Sequence, residues 1–219
     1  MTTIKICGLT RGEDATFAAE CGAAYVGVIL AGGPRHVSIA QAGHVFRVLR
    51  HGVRRVAVFD AQAESDIIAI SQSLALDVIQ LHSTTAVDTV TRLMAATGCT
   101  VWPVLRIDGS TLPPDAASLA IAAGWLVLDA KVEGQLGGTG VALDWSGLVA
   151  ALATLRRDVP TVRIVLAGGL SQENVAEAIR LLAPDVVDVS SGVEIKPGVK
   201  NPDAVQQFVS AAHAAMESR

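Results

Sequence analysis

The chain has 219 residues, 51% of them apolar and 17% charged, with a net charge of −4 at neutral pH. That balance excludes a disordered chain or a coiled coil, and it excludes nucleic acid as the main partner, because phosphate backbones are bound by basic surfaces. It leaves room for one small phosphorylated ligand, which backbone N–H groups hold without added charge. Mean hydropathy is +0.46, yet the longest nearly apolar stretch, residues 116–128, is interrupted by Ser118 and Gly124. It falls short of the ~20 residues that span a bilayer, so no membrane is expected. The N-terminus shows no basic region leading into an apolar one, hence no secretory signal. The odd set Cys7, Cys21 and Cys99 fits reduced thiols in the cytoplasm better than a disulfide framework.

Apolar runs alternate with segments of helical period along the whole chain. Ile4–Cys7 reads as a strand ended by Gly8, followed by a helix over Glu13–Cys21, a strand over Tyr25–Leu30 and a helix over Ile39–Leu49. Strand Arg55–Phe59 and helix Ser65–Leu74 come next, then strand Val78–Leu81 and helix Ala86–Ala96. Strand Thr100–Leu105 leads to a short, very apolar helix, Asp115–Ala123. Strand Trp125–Leu128 opens a long glycine-rich loop before helix Trp145–Leu155. Strand Arg163–Leu166 precedes helix Ser171–Leu182, with Ser171 placed as its N-cap, and strand Val186–Val189 precedes helix Pro202–Met216. The runs are mostly β-branched or Leu-rich without polar alternation, as in parallel strands buried on both faces. No Pro/Gly/Ser-rich linker or charge block divides the chain. The expectation is an α/β fold: a (β/α)8 TIM barrel forming a single domain over residues 1–219. An open doubly wound sheet competes, but it usually carries a switch-point fingerprint that this chain lacks.

A barrel places its chemistry at the C-terminal ends of its strands, which selects Cys7, Arg35, Gln80, Arg106, Asp129, Gly168 and Ser190. Cys7 is either a small buried hydrophobe or a base whose pKa a cation such as Lys5 lowers; Lys5 itself reads as that cation or as a solvated lysine. Asp129 is a helix cap, an ion-pair partner, or a general acid with a pKa raised by burial. The loop after it, with Gly134, Gly137, Gly138 and Gly140, is a surface loop or a lid that excludes water. Ala167-Gly168-Gly169-Leu170 and Ser190-Ser191-Gly192 follow the last two strands, where barrels commonly bind phosphate. Arg35, restrained by Pro34, can hold a carboxylate through its fork, and His82 is an alternative proton shuttle. His36, His44, His51 and His213 are scattered on loops or polar helix faces, and no cluster has metal-ligand spacing.

In order along the chain, these segments resemble the phosphoribosylanthranilate isomerase family of tryptophan biosynthesis. The resemblance rests on Lys5-Ile6-Cys7-Gly8-Leu9-Thr10, Gly33-Pro34-Arg35, Val78-Ile79-Gln80-Leu81-His82, Leu128-Asp129, Gly137-Gly138-Thr139-Gly140 before Asp144-Trp145, Ala167-Gly168-Gly169-Leu170, Asp188-Val189-Ser190-Ser191-Gly192-Val193-Glu194 and Pro197-Gly198-Val199-Lys200. It implies a cofactor-free Amadori rearrangement of N-(5-phosphoribosyl)anthranilate, a small phosphosugar, to the 1-deoxyribulose 5-phosphate. It assigns Cys7 as general base and Asp129 as general acid. Substrate contacts would come from Arg35 at the anthranilate carboxylate, Gly168, Gly169, Ser191 and Gly192 at the phosphate, and Gln80, His82 and Asp188. A monomer is expected, with a dimer as the alternative. The chain departs from the family's usual residues at Gly33, Asp60 and Ser83. Related phosphosugar barrels fit less well. The histidine-pathway isomerase pairs two aspartates at strands one and five, and indole-glycerol-phosphate synthase relies on lysine and glutamate at strand ends. A non-catalytic phosphate binder would not require Cys7 or Asp129.

Overall fold

The computed structural model describes residues 2–83, 85–130 and 144–217. Eight parallel strands close into a barrel in sequence order: β1 (Thr3–Ile6), β2 (Tyr25–Ile29), β3 (Arg54–Phe59), β4 (Val78–Leu81), β5 (Thr100–Ile107), β6 (Trp125–Ala130), β7 (Arg163–Leu166) and β8 (Val186–Val189). The helices between and after them are α1 (Gly12–Cys21), α2 (Ile39–Arg47), α3 (Glu64–Leu74), α4 (Val87–Thr97), α5 (Ala116–Ala123), α6 (Trp145–Asp158), α7 (Val175–Leu182) and α8 (Pro202–Glu217). All eight strands and eight helices lie where the sequence places them, with ends moved by a few residues. The glycine-rich segment expected as a lid, residues 131–143, lies outside the described residues. Among those residues no helix is long and apolar enough to cross a membrane.

The lack of polar alternation in the strands follows from two cores. Outward-facing residues such as Ile4, Ile6, Val26 and Leu126 pack under the helices, while Tyr25, Val56, Val78, Trp102, Val127, Val165 and Val186 fill the barrel interior. The interior is sealed at the N-terminal end of the strands. Trp102 is fully buried, with its ring 5.1 Å from Tyr25 and 5.1 Å from Trp125. Arg54 lies over the Tyr25 ring and Arg163 over the Trp125 ring, at 5.3 Å and 5.2 Å, an arrangement favoured by the ring quadrupole. The open cavity lies at the opposite end of the strands.

Two local features differ from the sequence expectation. Helix α7 begins at Val175 rather than Ser171, and Ser171 does not cap it. The Ser171 N–H instead donates to Asn174 Oδ1 at 2.8 Å, and Asn174 Nδ2 donates to the Gly169 carbonyl at 2.8 Å. Residues 171–174 are thus a turn that ties the glycine loop to the helix start. After β8, a single 3₁₀ turn (Ser191–Val193) leads into an antiparallel hairpin, β9 (Glu194–Lys196) with β10 (Val199–Lys200). Strands of three and two residues are too short to leave a periodic signal.

Trp102→Ala is expected to lower unfolding stability by about 3–5 kcal/mol, the range for deleting a large buried aromatic. Urea denaturation followed by circular dichroism measures it, and a loss below about 1 kcal/mol would contradict the role of the aromatic plug.

Candidate active site

The first strand delivers two groups to the barrel mouth. Lys5 is fully buried, which excludes the solvated alternative, and its Nζ donates to Asp188 Oδ2 at 2.6 Å. Cys7, one step past β1, is buried and donates its backbone N–H to the Val189 carbonyl at 2.8 Å. Gly27 on β2 makes the space for both: a Cβ there would stand 2.9 Å from Cys7 Sγ and 3.1 Å from Lys5 Cε. Burial pulls the Lys5 pKa down, but the charges of Asp188 and Cys7 more than offset it and leave it raised. Burial also pushes the Cys7 thiol up, against the opposing pull of Lys5. The lowered thiol pKa expected for a base is therefore not the resting condition, because desolvation outweighs the ammonium.

Asp129 lies inside β6, facing Arg106 of β5 in register, so it is no helix cap. Burial raises its carboxyl to about 6, opposed by Arg106 and reinforced by Asp188. Arg106 Nη1 lies 3.4 Å from Asp129 Oδ2, and His82 Nε2 lies 3.6 Å from the same oxygen. Arg106 Nη2 also meets His82 Nδ1 at 2.7 Å. A guanidinium only donates, so Nδ1 accepts and the ring proton sits on Nε2, toward Asp129. Burial, then the nearby Arg106 charge, pushes the His82 pKa down to about 4. A ring that ionises only there is a neutral hydrogen-bond donor at pH 7 and not the proton shuttle the sequence left open.

The last two strands close the site from the other side. Gly168 has φ +84°, and a Cβ there would lie 2.8 Å from Asp129 Oδ1 and 2.8 Å from the Ala130 nitrogen. Only glycine both adopts this backbone and clears the acid. Gly192 does not line the cavity; a Cβ there would overlap the Leu170 carbonyl, so its role is to let the loop after β8 lie against the loop after β7. The cavity itself, about 600 Å³, is walled by Cys7, Arg35, Gln80, His82, Asp129, Gly168, Gly169, Asp188 and Ser191. Nine of the ten expected site residues thus share one wall. Gln80 Oε1, Asp188 Oδ1 and Ser190 Oγ are buried without a hydrogen-bond partner among the described residues. Such atoms cost about 1–3 kcal/mol each when unsatisfied, which marks where a polar ligand is received.

Arg35 lines the cavity, but its fork is engaged by a carboxylate of the protein. Nε and Nη2 donate to Glu194 at 2.8–3.0 Å. Lys200 donates to Glu194 Oε1 at 2.9 Å and to the Ser190 carbonyl at 3.0 Å. Burial raises the Glu194 carboxyl, but the hydrogen bond from Arg35 and the charge of Lys200 hold it below its ordinary value. Glu194 and Lys200 stood in quoted motifs without an assigned role: both follow the eighth strand, in a hairpin too short to leave a periodic signal. The departures Asp60 and Ser83 also meet, through a 2.7 Å bond from Ser83 Oγ to the Asp60 carbonyl, which leaves both loops closed on each other.

A barrel mouth that sets a buried carboxyl of raised pKa and a buried thiol into one cavity defines an acid–base (β/α)8 enzyme for a small ligand. A model of the family described as N-(5'phosphoribosyl)anthranilate (PRA) isomerase matches residues 4–211, and the chain belongs to this family. An N-(5'-phosphoribosyl)anthranilate isomerase from Paracoccus denitrificans is 38% identical, covering 97% of each chain. The solved phosphoribosyl anthranilate isomerase of Thermotoga maritima superposes with a TM-score of 0.84 at 30% identity, over 98% of this chain and 100% of that one. A structure of the isomerase in complex with reduced 1-(o-carboxyphenylamino)-1-deoxyribulose 5-phosphate matches at TM-score 0.81 and 29% identity, over 98% and 100% of the two chains.

Asp129 has a folded pKa of about 6 against an ordinary 3.8. The folded state therefore prefers the protonated acid: this contribution is complete below about pH 4 and is lost as pH rises through about 6. Asp129→Asn is expected to match the parent's stability near pH 4 and to exceed it by about 2–3 kcal/mol at pH 7. Denaturant titrations at both pH values measure the difference, and equal stability of the two proteins at pH 7 would show that the carboxyl is not held at a cost.

Proposed function

We propose that this chain isomerises N-(5-phosphoribosyl)anthranilate to 1-(2-carboxyphenylamino)-1-deoxyribulose 5-phosphate in tryptophan biosynthesis, with Asp129 as general acid and Cys7 as general base. The observation that carries the assignment is the buried Asp129 carboxyl, raised to about 6 on the wall of the cavity that also exposes Cys7. Asp129 protonates the ring oxygen, the bond from that oxygen to C1′ breaks, and the nitrogen lone pair forms the C1′=N bond. Cys7 then takes the C2′ proton. The electrons of that C–H bond form C1′=C2′, and those of the iminium return to nitrogen. The enolamine gains a proton at C1′ while its C2′ hydroxyl loses one, giving the ketone.

Arg35 meets the anthranilate carboxylate, and the backbone N–H groups around Gly168, Gly169 and Ser191 hold the phosphate. Gln80, His82 through its Nε2–H, and Asp188 contact the sugar between them. Every group named comes from one barrel domain over residues 1–219, and a monomer is the proposed working unit. The free thiols Cys7, Cys21 and Cys99 support a cytoplasmic setting.

The two pKa directions support one working protonation state. At neutral pH the pair rests mainly as thiol and carboxylate, whereas the reaction needs thiolate and acid, the same pair with one proton moved. Lys5, beside Cys7, supplies the countercharge for the thiolate. The active species then tracks the singly protonated pair. Expected kcat/KM rises as pH rises through about 6, stays level, and falls only above the ordinary thiol range. A fall beginning between pH 6 and 8 would contradict this ordering of the two groups.

The assay itself uses freshly made phosphoribosylanthranilate and follows loss of its fluorescence. Cys7→Ala and Asp129→Asn are each expected to fold and to lose about 10²–10⁴-fold in turnover, the usual contribution of a general acid or base. Decay no faster than the uncatalysed rate with the parent protein would sink the activity, and near-normal turnover in either variant would sink that residue's role.

A further inference from the structure

We infer that Glu194 is a positioning residue that takes the side edge of the Arg35 guanidinium and thereby turns its end edge into the cavity as the carboxylate receptor. The inference rests on the functional reading above, which it deepens at one subsite. A guanidinium offers two bidentate edges, one formed by Nε and one Nη, the other by the two terminal nitrogens. Glu194 occupies the first: Oε1 accepts from Nε at 2.9 Å, and Oε2 accepts from Nη2 at 2.8 Å. Among the described residues Nη1 has no partner, and Arg35 lines the cavity. One Nη2 hydrogen and one Nη1 hydrogen are thus left on the edge that a second carboxylate takes.

The holder is itself held. Glu194 Oε1 also accepts from Lys200 Nζ at 2.9 Å and from the Gly198 N–H at 3.3 Å, so the carboxylate is fixed from three directions. Exposure falls along the series, from 12% for the Arg35 side chain to 4% for Glu194 and 2% for Lys200. Arg35 is also confined by packing, since a Cβ on Gly8 would stand 2.8 Å from Arg35 Cδ. Charge reinforces geometry: two cations and one anion leave the trio with one net positive charge, which suits an incoming anion. A lone Arg35 at a loop would give up the rotamer freedom of a long side chain on binding. Here Glu194 and Lys200 remove that freedom before the ligand arrives.

The test measures binding, not turnover, so its failure is separable from failure of the proposed reaction. The probes are reduced 1-(o-carboxyphenylamino)-1-deoxyribulose 5-phosphate and its phenylamino counterpart, which lacks the carboxylate, both titrated by calorimetry. Glu194→Gln is expected to weaken the carboxylate probe about tenfold or more and to leave the counterpart within about twofold. In an Arg35→Lys background the same change is expected to add less than about twofold, because the two residues act as one unit. Glu194→Asp, which keeps the charge but shortens its reach, is read the same way should the glutamine variant fail to fold. Equal weakening of both probes would overturn the inference in favour of a purely structural role, as would full retention of affinity for the carboxylate probe. If neither probe binds the parent protein, the functional reading and this inference both fall; a parent that discriminates the probes while Glu194→Gln does so equally well sinks the inference alone.

Discussion

The site depends on the 2.6 Å ion pair between Lys5 and Asp188. These residues face each other in register across β1 and β8, the strands whose pairing closes the barrel. Removing two charges from water costs several kcal/mol per ion, so such a pair is weak evidence for stability. Its value here lies in where it stands. Lys5 is the cation nearest the Cys7 thiol, and Asp188 acts on both Cys7 and Asp129. Breaking the pair would disturb the closure seam, Cys7 and Asp129 together.

The mouth sorts carboxyls by the cations around them. Asp129 receives its Arg106 contact at 3.4 Å, too long to offset burial, and its pKa rises. Glu194 receives three close bonds from Arg35 and one from Lys200, and its pKa falls. One carboxyl is thereby kept near the point of titration and the other kept charged. Acid–base sites are commonly built by such a separation of environments. Arg106 has a second effect, since its bond to His82 Nδ1 fixes the tautomer of the histidine. Burial keeps the ring neutral, and that bond makes it a donor through Nε2.

The strands were legible because both barrel faces are buried, which removes polar alternation. The apolar stretches Val26, Val28 and Val56–Phe59 show it directly. Cys7, Asp129 and the Gly168-Gly169 pair were legible because each stands where a buried strand ends, and the family resemblance added their roles. Contacts across long sequence separations were not legible. Arg35 and Glu194 lie 159 positions apart, and nothing local marks them as partners. Gly27 was hidden for another reason: it reads as one more small residue in an apolar strand, and only the sulfur and the lysine stem beside it show why a side chain is excluded. The thiol's direction of shift was not legible, because sequence reveals the neighbouring lysine but not the depth of burial that outweighs it.

The barrel is strongly polarised along its axis, and this explains how it tolerates such a site. At the N-terminal end Trp102, Tyr25 and Trp125 form a contiguous aromatic plug, in which Trp102 Nε1 is the one buried polar atom without a partner among the described residues. At the other end Gln80, Asp188 and Ser190 each keep a buried polar atom without a partner among the described residues, and Asp129 sits where its ionised form is disfavoured. Marginally stable domains carry only about 5–15 kcal/mol in total, so several such costs in one region must be offset elsewhere. The plug and the apolar layer beneath the helices supply that offset at a distance from the chemistry. A ligand with hydroxyls, an anion and a carboxylate then satisfies at the mouth what folding leaves open there.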